Sequence, residues 1–154
     1  MKKIFAFLMI SVLLFTVCVT LFSCSSAKVN PISFGKKYMY DDDRYYVFNS
    51  NGTGYYECHY LYESSVDSTY NYVLSGRVEF EWREASDGAI YLFDTKVSYN
   101  EDHTEGQNIS VIQAPIYFAD EFFTYTSHNQ FGASTQRYLK EGSKLAKALE
   151  DQKD

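Results

Sequence analysis

From Tyr70 to Arg83 the chain alternates almost without a break. Even positions read Tyr70, Tyr72, Leu74, Gly76, Val78, Phe80 and Trp82, while odd positions from 75 on read Ser75, Arg77, Glu79, Glu81 and Arg83. A period of two with all charge on one side predicts an antiparallel strand, dry on one face and wet on the other. Its length suggests a bend or bulge at Ser75-Gly76. Upstream, two β-prone runs, 44–50 and 53–62, flank Asn51-Gly52. Asn-Gly between such runs is a strong hairpin signal. Read as a two-residue loop, it places Val47 opposite Tyr56 and Tyr45 opposite Cys58. Tyr56, Cys58, Tyr60 and Tyr62 then share one face, and Glu57, His59 and Glu63 the other. Downstream, Ser86-Asp87-Gly88 suits a three-residue loop that sets Trp82 opposite Leu92, the preferred register; a two-residue Asp-Gly loop would pair it with Phe93 instead.

Further strands are predicted over 96–99, 107–113, 116–118, 121–126 and 131–138, with turn-rich stretches at 100–106 and 127–130. Ser143 is placed to cap a short helix over 144–151, with Leu145 and Leu149 on one face. The fold class is therefore all-β. About eight strands in an antiparallel meander form a small barrel or sandwich, closed by a short C-terminal helix. No internal repeat or low-complexity segment interrupts it.

The first 23 residues follow a different pattern. Lys2 and Lys3 precede an uncharged apolar run from Ile4 to Ser23. A basic start, an apolar stretch and a small residue before a cleavage point make a secretory signal. Leu21-Phe22-Ser23-Cys24 resembles the lipobox of bacterial lipoproteins, with Phe22 bulkier than the residue usual at its place. The resemblance implies cleavage before Cys24 and lipidation of its thiol, so that the membrane is reached through Cys24. An uncleaved anchor is the alternative, since ~20 apolar residues span a bilayer. Either way the globular part lies outside the cytoplasm, in the cell envelope. The expected organisation is a signal peptide over 1–23, a lipid-anchored tether over 24–33 and one domain over 34–154.

Removing residues 1–23 leaves 131, enough for one domain. The two lysines that leave with the signal reduce 14 basic residues to 12 against 20 acidic ones, about −8. A field of that sign disfavours nucleic acid and anionic lipid headgroups as partners. Cys18 belongs to the signal and Cys24 to the anchor, which leaves Cys58 without a disulfide partner. Stability must come from the core, and the 131 residues hold 24 aromatics, all 15 tyrosines among them.

The local pieces Gly35-Lys36-Lys37-Tyr38, Phe48 to Gly54, and Phe80-Glu81-Trp82 followed by Asp87-Gly88 resemble the lipocalin-like lipoproteins of bacteria. In lipocalins a Gly-x-Trp opens the first strand and its tryptophan closes the barrel floor; here Tyr38 stands in that place. The resemblance implies an eight-stranded barrel able to hold one small apolar or amphipathic ligand. A filled barrel is equally compatible.

Candidate chemistry is sparse. His59, His103 and His128 lie far apart and show no metal-ligand spacing, which gives them surface or turn roles. Asp41-Asp42-Asp43 lacks the spaced carboxylates of a calcium loop and reads as a tight turn. Cys58 on the apolar face reads as a small buried hydrophobe rather than a reactive thiol. Glu79 and Glu81 between Arg77 and Arg83 form a solvated ladder. No nucleophile elbow, phosphate loop or dinucleotide fingerprint is present, so no cofactor and no enzymatic activity are expected. The tyrosines at 56, 60, 62, 70 and 72 line either a core or a partly polar cavity, because a buried hydroxyl wants a partner. Two functions stay open: a lipid-tethered module binding a small amphipathic ligand, and a filled structural or protein-interaction module. Inhibition of an exported enzyme through a hairpin loop is a third. Nothing identifies a protein partner.

Overall fold

The computed structural model describes residues 31–63 and 71–152. Cys24 and Tyr70 lie outside them. Among the described residues the strands are β1 (Lys37–Asp41), β2 (Arg44–Phe48), β3 (Thr53–Glu63), β4 (Asn71–Glu84), β5 (Ile90–Tyr99), β6 (Ile116–Phe118), β7 (Phe122–Asn129) and β8 (Gly132–Lys140). They pair antiparallel in chain order and close into a barrel, Tyr38 meeting Lys140 and Met39 meeting Leu139. Helix α1 (Lys144–Glu150) follows. The all-β meander with its terminal helix is thus a barrel rather than a sandwich.

β4 obeys its alternation. Val78 and Phe80 are buried, while Arg77, Glu79, Glu81 and Arg83 are exposed. Burying even one of those charges unpaired costs several kcal/mol, so the faces cannot exchange. The second hairpin has the expected register, Trp82 opposite Leu92, with Gly88 at φ +86° in its three-residue loop.

The first hairpin differs from expectation by one residue. Val47 pairs with Tyr55, Tyr46 with Tyr56 and Arg44 with Cys58. The loop is three residues long, Ser50-Asn51-Gly52, with Gly52 at φ +83°. The Asn51 Oδ1 accepts the Thr53 N–H at 3.2 Å, which turns the chain one residue earlier than an Asn-Gly pair alone would. A one-residue slip exchanges the faces of a strand. Arg44, Tyr46 and Phe48 therefore take the inner face of β2 in phase with Tyr56 and Cys58.

Three further expectations change. The β3–β4 ladder runs unbroken through Gly76. The bulge sits instead in β5, where Glu79 meets Lys96 but Phe80 meets Asp94, leaving Thr95 extra. Gly76 serves close approach, since a Cβ there would lie 2.3 Å from the Ser98 carbonyl oxygen. Residues 107–113 are not a strand: two successive amides bond to side chains rather than to a ladder. The Val111 N–H reaches Asp94 Oδ1 at 3.3 Å and the Ile112 N–H reaches the Tyr46 hydroxyl at 3.1 Å. Nor do 127–130 form the turn; β7 runs on to Asn129 and the hairpin loop is Gln130-Phe131.

Ile32, assigned from sequence to the tether, is buried with the core. Ser143 caps α1 by accepting the Ala146 N–H, and the Glu121 carboxylate accepts the Lys144 and Leu145 amides. Leu145 is half-buried and Leu149 exposed, so the expected apolar face is used only at its start.

Trp82 is half-buried at the edge of the core. Its ring stacks on Phe34 at 6.0 Å and its Nε1–H is shared between the carbonyls of Asn49 and Thr53. Fully buried Trp→Ala changes cost roughly 3–5 kcal/mol; at this half-buried place Trp82→Ala is expected to cost about 2–4 kcal/mol. Glu79→Ala on the wet face is expected to change stability by about 0.5 kcal/mol or less. Urea unfolding of the full chain in mild detergent checks both, and equal midpoints would contradict the assignment of faces.

Candidate functional site

In an antiparallel meander the connections alternate between the two ends. The β2–β3, β4–β5 and β6–β7 turns share one end with α1. The β1–β2, β3–β4, β5–β6 and β7–β8 connections share the other.

At the first end the interior is filled. Tyr38 and Phe48 are fully buried and meet Phe118 edge-on at 5.2 and 5.1 Å, with Phe123 beside them. Tyr38 is thus a core residue of β1, its hydroxyl accepting the Ser33 N–H at 2.8 Å.

At the other end the barrel opens into a cleft of about 660 Å3. Its floor is made by Tyr46, Tyr56 and Tyr138. Tyr46 stacks on Tyr56 at 4.4 Å and meets Tyr138 edge-on at 5.2 Å. One wall is the chain from Ser110 to Ala114, the other comes from β7 and β8 through Tyr125 and Gln136. The Tyr125 hydroxyl donates to Gln136 Oε1 at 2.7 Å, while the Tyr138 hydroxyl makes no hydrogen bond within the described protein. Burial pushes the phenols of Tyr46, Tyr56 and Tyr138 well above their ordinary range. They stay neutral and able to donate.

Arg44 reaches the same cleft from the inner face of β2. Its guanidinium lies between the rings of Tyr40 and Tyr60, 4.4 and 4.3 Å from their centroids. Nε and Nη2 both donate to Asp41 Oδ2, the former at 2.7 Å. Burial works against its charge, and the Asp41 hydrogen bond and field outweigh burial. Asp41 also accepts the Asp43 N–H, so the acidic triplet is the tight turn between β1 and β2.

The other described residues singled out from sequence fall outside the cleft, apart from Tyr56 on its floor and His128. Cys58 is buried, its thiol pushed up by burial and donating weakly to the Leu74 carbonyl. Arg77 pairs with Glu57 at 2.8 Å and Arg83 with Glu81 at 3.4 Å, on the exposed face. His128 is exposed at the cleft edge. His59 and His103 do come together, on Ser75. Ser75 is fully buried on the outer face of β4, beneath the chain from Asn100 to Gln107. Its Oγ meets His59 Nδ1 at 3.1 Å and accepts Asn100 Nδ2–H at 2.8 Å, and its N–H donates to His103 Nδ1. Asp102 also approaches His59 Nδ1, at 3.2 Å. Serine, histidine and aspartate in contact invite comparison with a nucleophilic triad. There, however, the serine and the carboxylate use opposite ring nitrogens; here both use Nδ1, and the serine is sealed from solvent. The cluster is a clasp that holds the β5–β6 connection on the barrel wall. Among the described residues no cluster of three metal-ligating side chains occurs.

Sequence reasoning missed Arg44 and the Ser75 clasp. The clasp joins residues with no spacing signal. Arg44 was recoverable, because Ser50-Asn51-Gly52 has the same form as Ser86-Asp87-Gly88.

Comparison with protein-family models, with curated proteins and with solved structures gives no match. The fold defines an eight-stranded antiparallel closed barrel, consistent with a lipocalin-like one. Among the described residues no helix is long and apolar enough to cross a membrane.

Proposed function

We propose that the chain is a lipid-anchored binding module of the cell envelope, lipocalin-like in architecture, that holds a small amphipathic ligand in the barrel mouth. The observation that carries this reading is the cleft of about 660 Å3 above a solid aromatic floor. Its volume lies in the ordinary range for small-molecule sites, ~300–1,000 Å3. Val111, Ile112 and the tyrosine ring faces offer apolar contact, and hydroxyl and amide groups offer orientation. A filled interaction module is favoured instead by the exposed aromatics Tyr91, Phe93 and Tyr117 on β5 and β6. The anchor rests on Leu21-Phe22-Ser23-Cys24 behind a basic start.

Two experiments test these parts. Nuclear magnetic resonance of the full chain in zwitterionic nanodiscs, titrated with the water-soluble 4-phenylbutanol, is expected to give saturable shifts at the Ala114 methyl and none at the Trp82 indole N–H. Ala114→Trp fills the mouth and is expected to abolish them while the barrel still unfolds cooperatively. Shifts confined to the Trp82 end, or none, would contradict the mouth reading. For the anchor, Cys24→Ala is expected to leave an uncleaved, unlipidated precursor, read by intact mass and detergent partitioning. A lipidated product beginning at residue 24 in that variant would overturn it.

A further inference from the structure

The mouth lining lacks the negative charge that the chain as a whole carries. The sequence has a formal net charge of −6, yet no carboxylate lines the cleft among the described residues. The cation that lines it is Arg44. Asp41, which pairs with Arg44, is not part of the lining. Arg44 still has Nη1 uncommitted, because Nε and Nη2 carry the Asp41 contact.

Of the other polar groups in the lining, Gln113 and Ser127 already donate, to the Val111 and Ser134 carbonyls, whereas Tyr138, Gln136 and Tyr46 have protons left to donate. Tyr138 brings a hydroxyl with no partner among the described residues. Gln136 spends its oxygen on the Tyr125 hydroxyl, which leaves its NH2 free. The Tyr46 hydroxyl accepts the Ile112 N–H and keeps its own proton to donate. Burial keeps the phenols of Tyr46 and Tyr138 protonated. These groups supply protons to a ligand and ask for acceptors in return.

We infer that the ligand presents an anionic head, a carboxylate or a phosphate, to Arg44 and Tyr138, with its apolar body against Val111, Ile112 and Ala114. This rests on the mouth reading above and adds the chemical class of the ligand. The guanidinium is held in place for it: its carbon lies over the Tyr40 and Tyr60 rings, and Nε and Nη2 are fixed on Asp41, with Nη1 left for a further hydrogen bond. Charge-assisted hydrogen bonds are the strong kind, and they are short-ranged enough to outweigh a distant net charge that salt screens within ~8 Å.

The test keeps the body constant and changes the head. The probes are 4-phenylbutyrate, 4-phenylbutyl phosphate, 4-phenylbutanol and 4-phenylbutylammonium, titrated into the full chain in zwitterionic nanodiscs, with the Ala114 methyl as readout. Both anions are expected to bind about tenfold or more tightly than the alcohol, and the ammonium most weakly. The order of the two anions tells a carboxylate ligand from a phosphate one. Raising salt is expected to weaken the anions and leave the alcohol unchanged. Arg44→Gln is expected to bring the anions down to the affinity of the alcohol, and Arg44→Lys to retain part of the preference. Should Arg44→Gln fail to fold, the head order and salt response of the unaltered chain decide the matter. An alcohol or ammonium that binds as well as the anions overturns the inference and leaves the mouth reading standing. No shift with any probe overturns both.

Discussion

Tyr46 is the side chain that the filled end and the open end of the barrel share. Its ring packs against Phe48, Phe80 and Phe123 on one side and against Tyr56 and Tyr138 on the other. Its hydroxyl is buried, and a buried hydroxyl without a partner costs free energy. The Ile112 N–H is buried as well and has no ladder to join. Each satisfies the other at 3.1 Å. That bond draws a long irregular connection into the barrel, where it becomes a wall of the mouth. Without it Val111 and Ile112 would lack a reason to lie inside.

The connection needs such support because the barrel is weakest beside it. β3 and β4 pair from Thr53↔Glu81 to Glu63↔Asn71, whereas β5 and β6 meet only at Ile90↔Ile116. Tyr46 holds the connection from within and Ser75 clasps it from outside. Segments of low local stability are where ligand-binding motions are drawn from. The mouth wall therefore stands at the seam best able to move for a ligand, pinned by Tyr46, by Asp94 and by the Ser75 clasp.

How much of this could be read from sequence depended on local signals. The alternation of β4 and the Ser86-Asp87-Gly88 loop were both legible, because face and register were set within a few residues. The first hairpin was misread by one residue because Asn51-Gly52 imitates a two-residue turn, although Ser50-Asn51-Gly52 matches the other loop. In both loops the middle side chain accepts the N–H two residues on, at 3.2 Å for Asn51 and 3.0 Å for Asp87. The slip turned Arg44 and Tyr46 outward, and the candidate site vanished with them. Residues 107–113 were beyond local reading. Ile109 and Val111 alternate like a strand, but the Val111 and Ile112 amides bond to Asp94 and Tyr46, which come from elsewhere in the fold.

The bond between Tyr46 and Ile112 is open to direct measurement by amide hydrogen exchange in the full chain, comparing the unaltered protein with Tyr46→Phe. Phenylalanine keeps the ring and its packing and removes only the hydroxyl that accepts the Ile112 N–H. The account predicts that the Ile112 amide is protected in the unaltered protein and loses about tenfold or more of that protection in the variant, while the β3–β4 amides change little. An Ile112 amide that exchanges freely in both, or is equally protected in both, would contradict it.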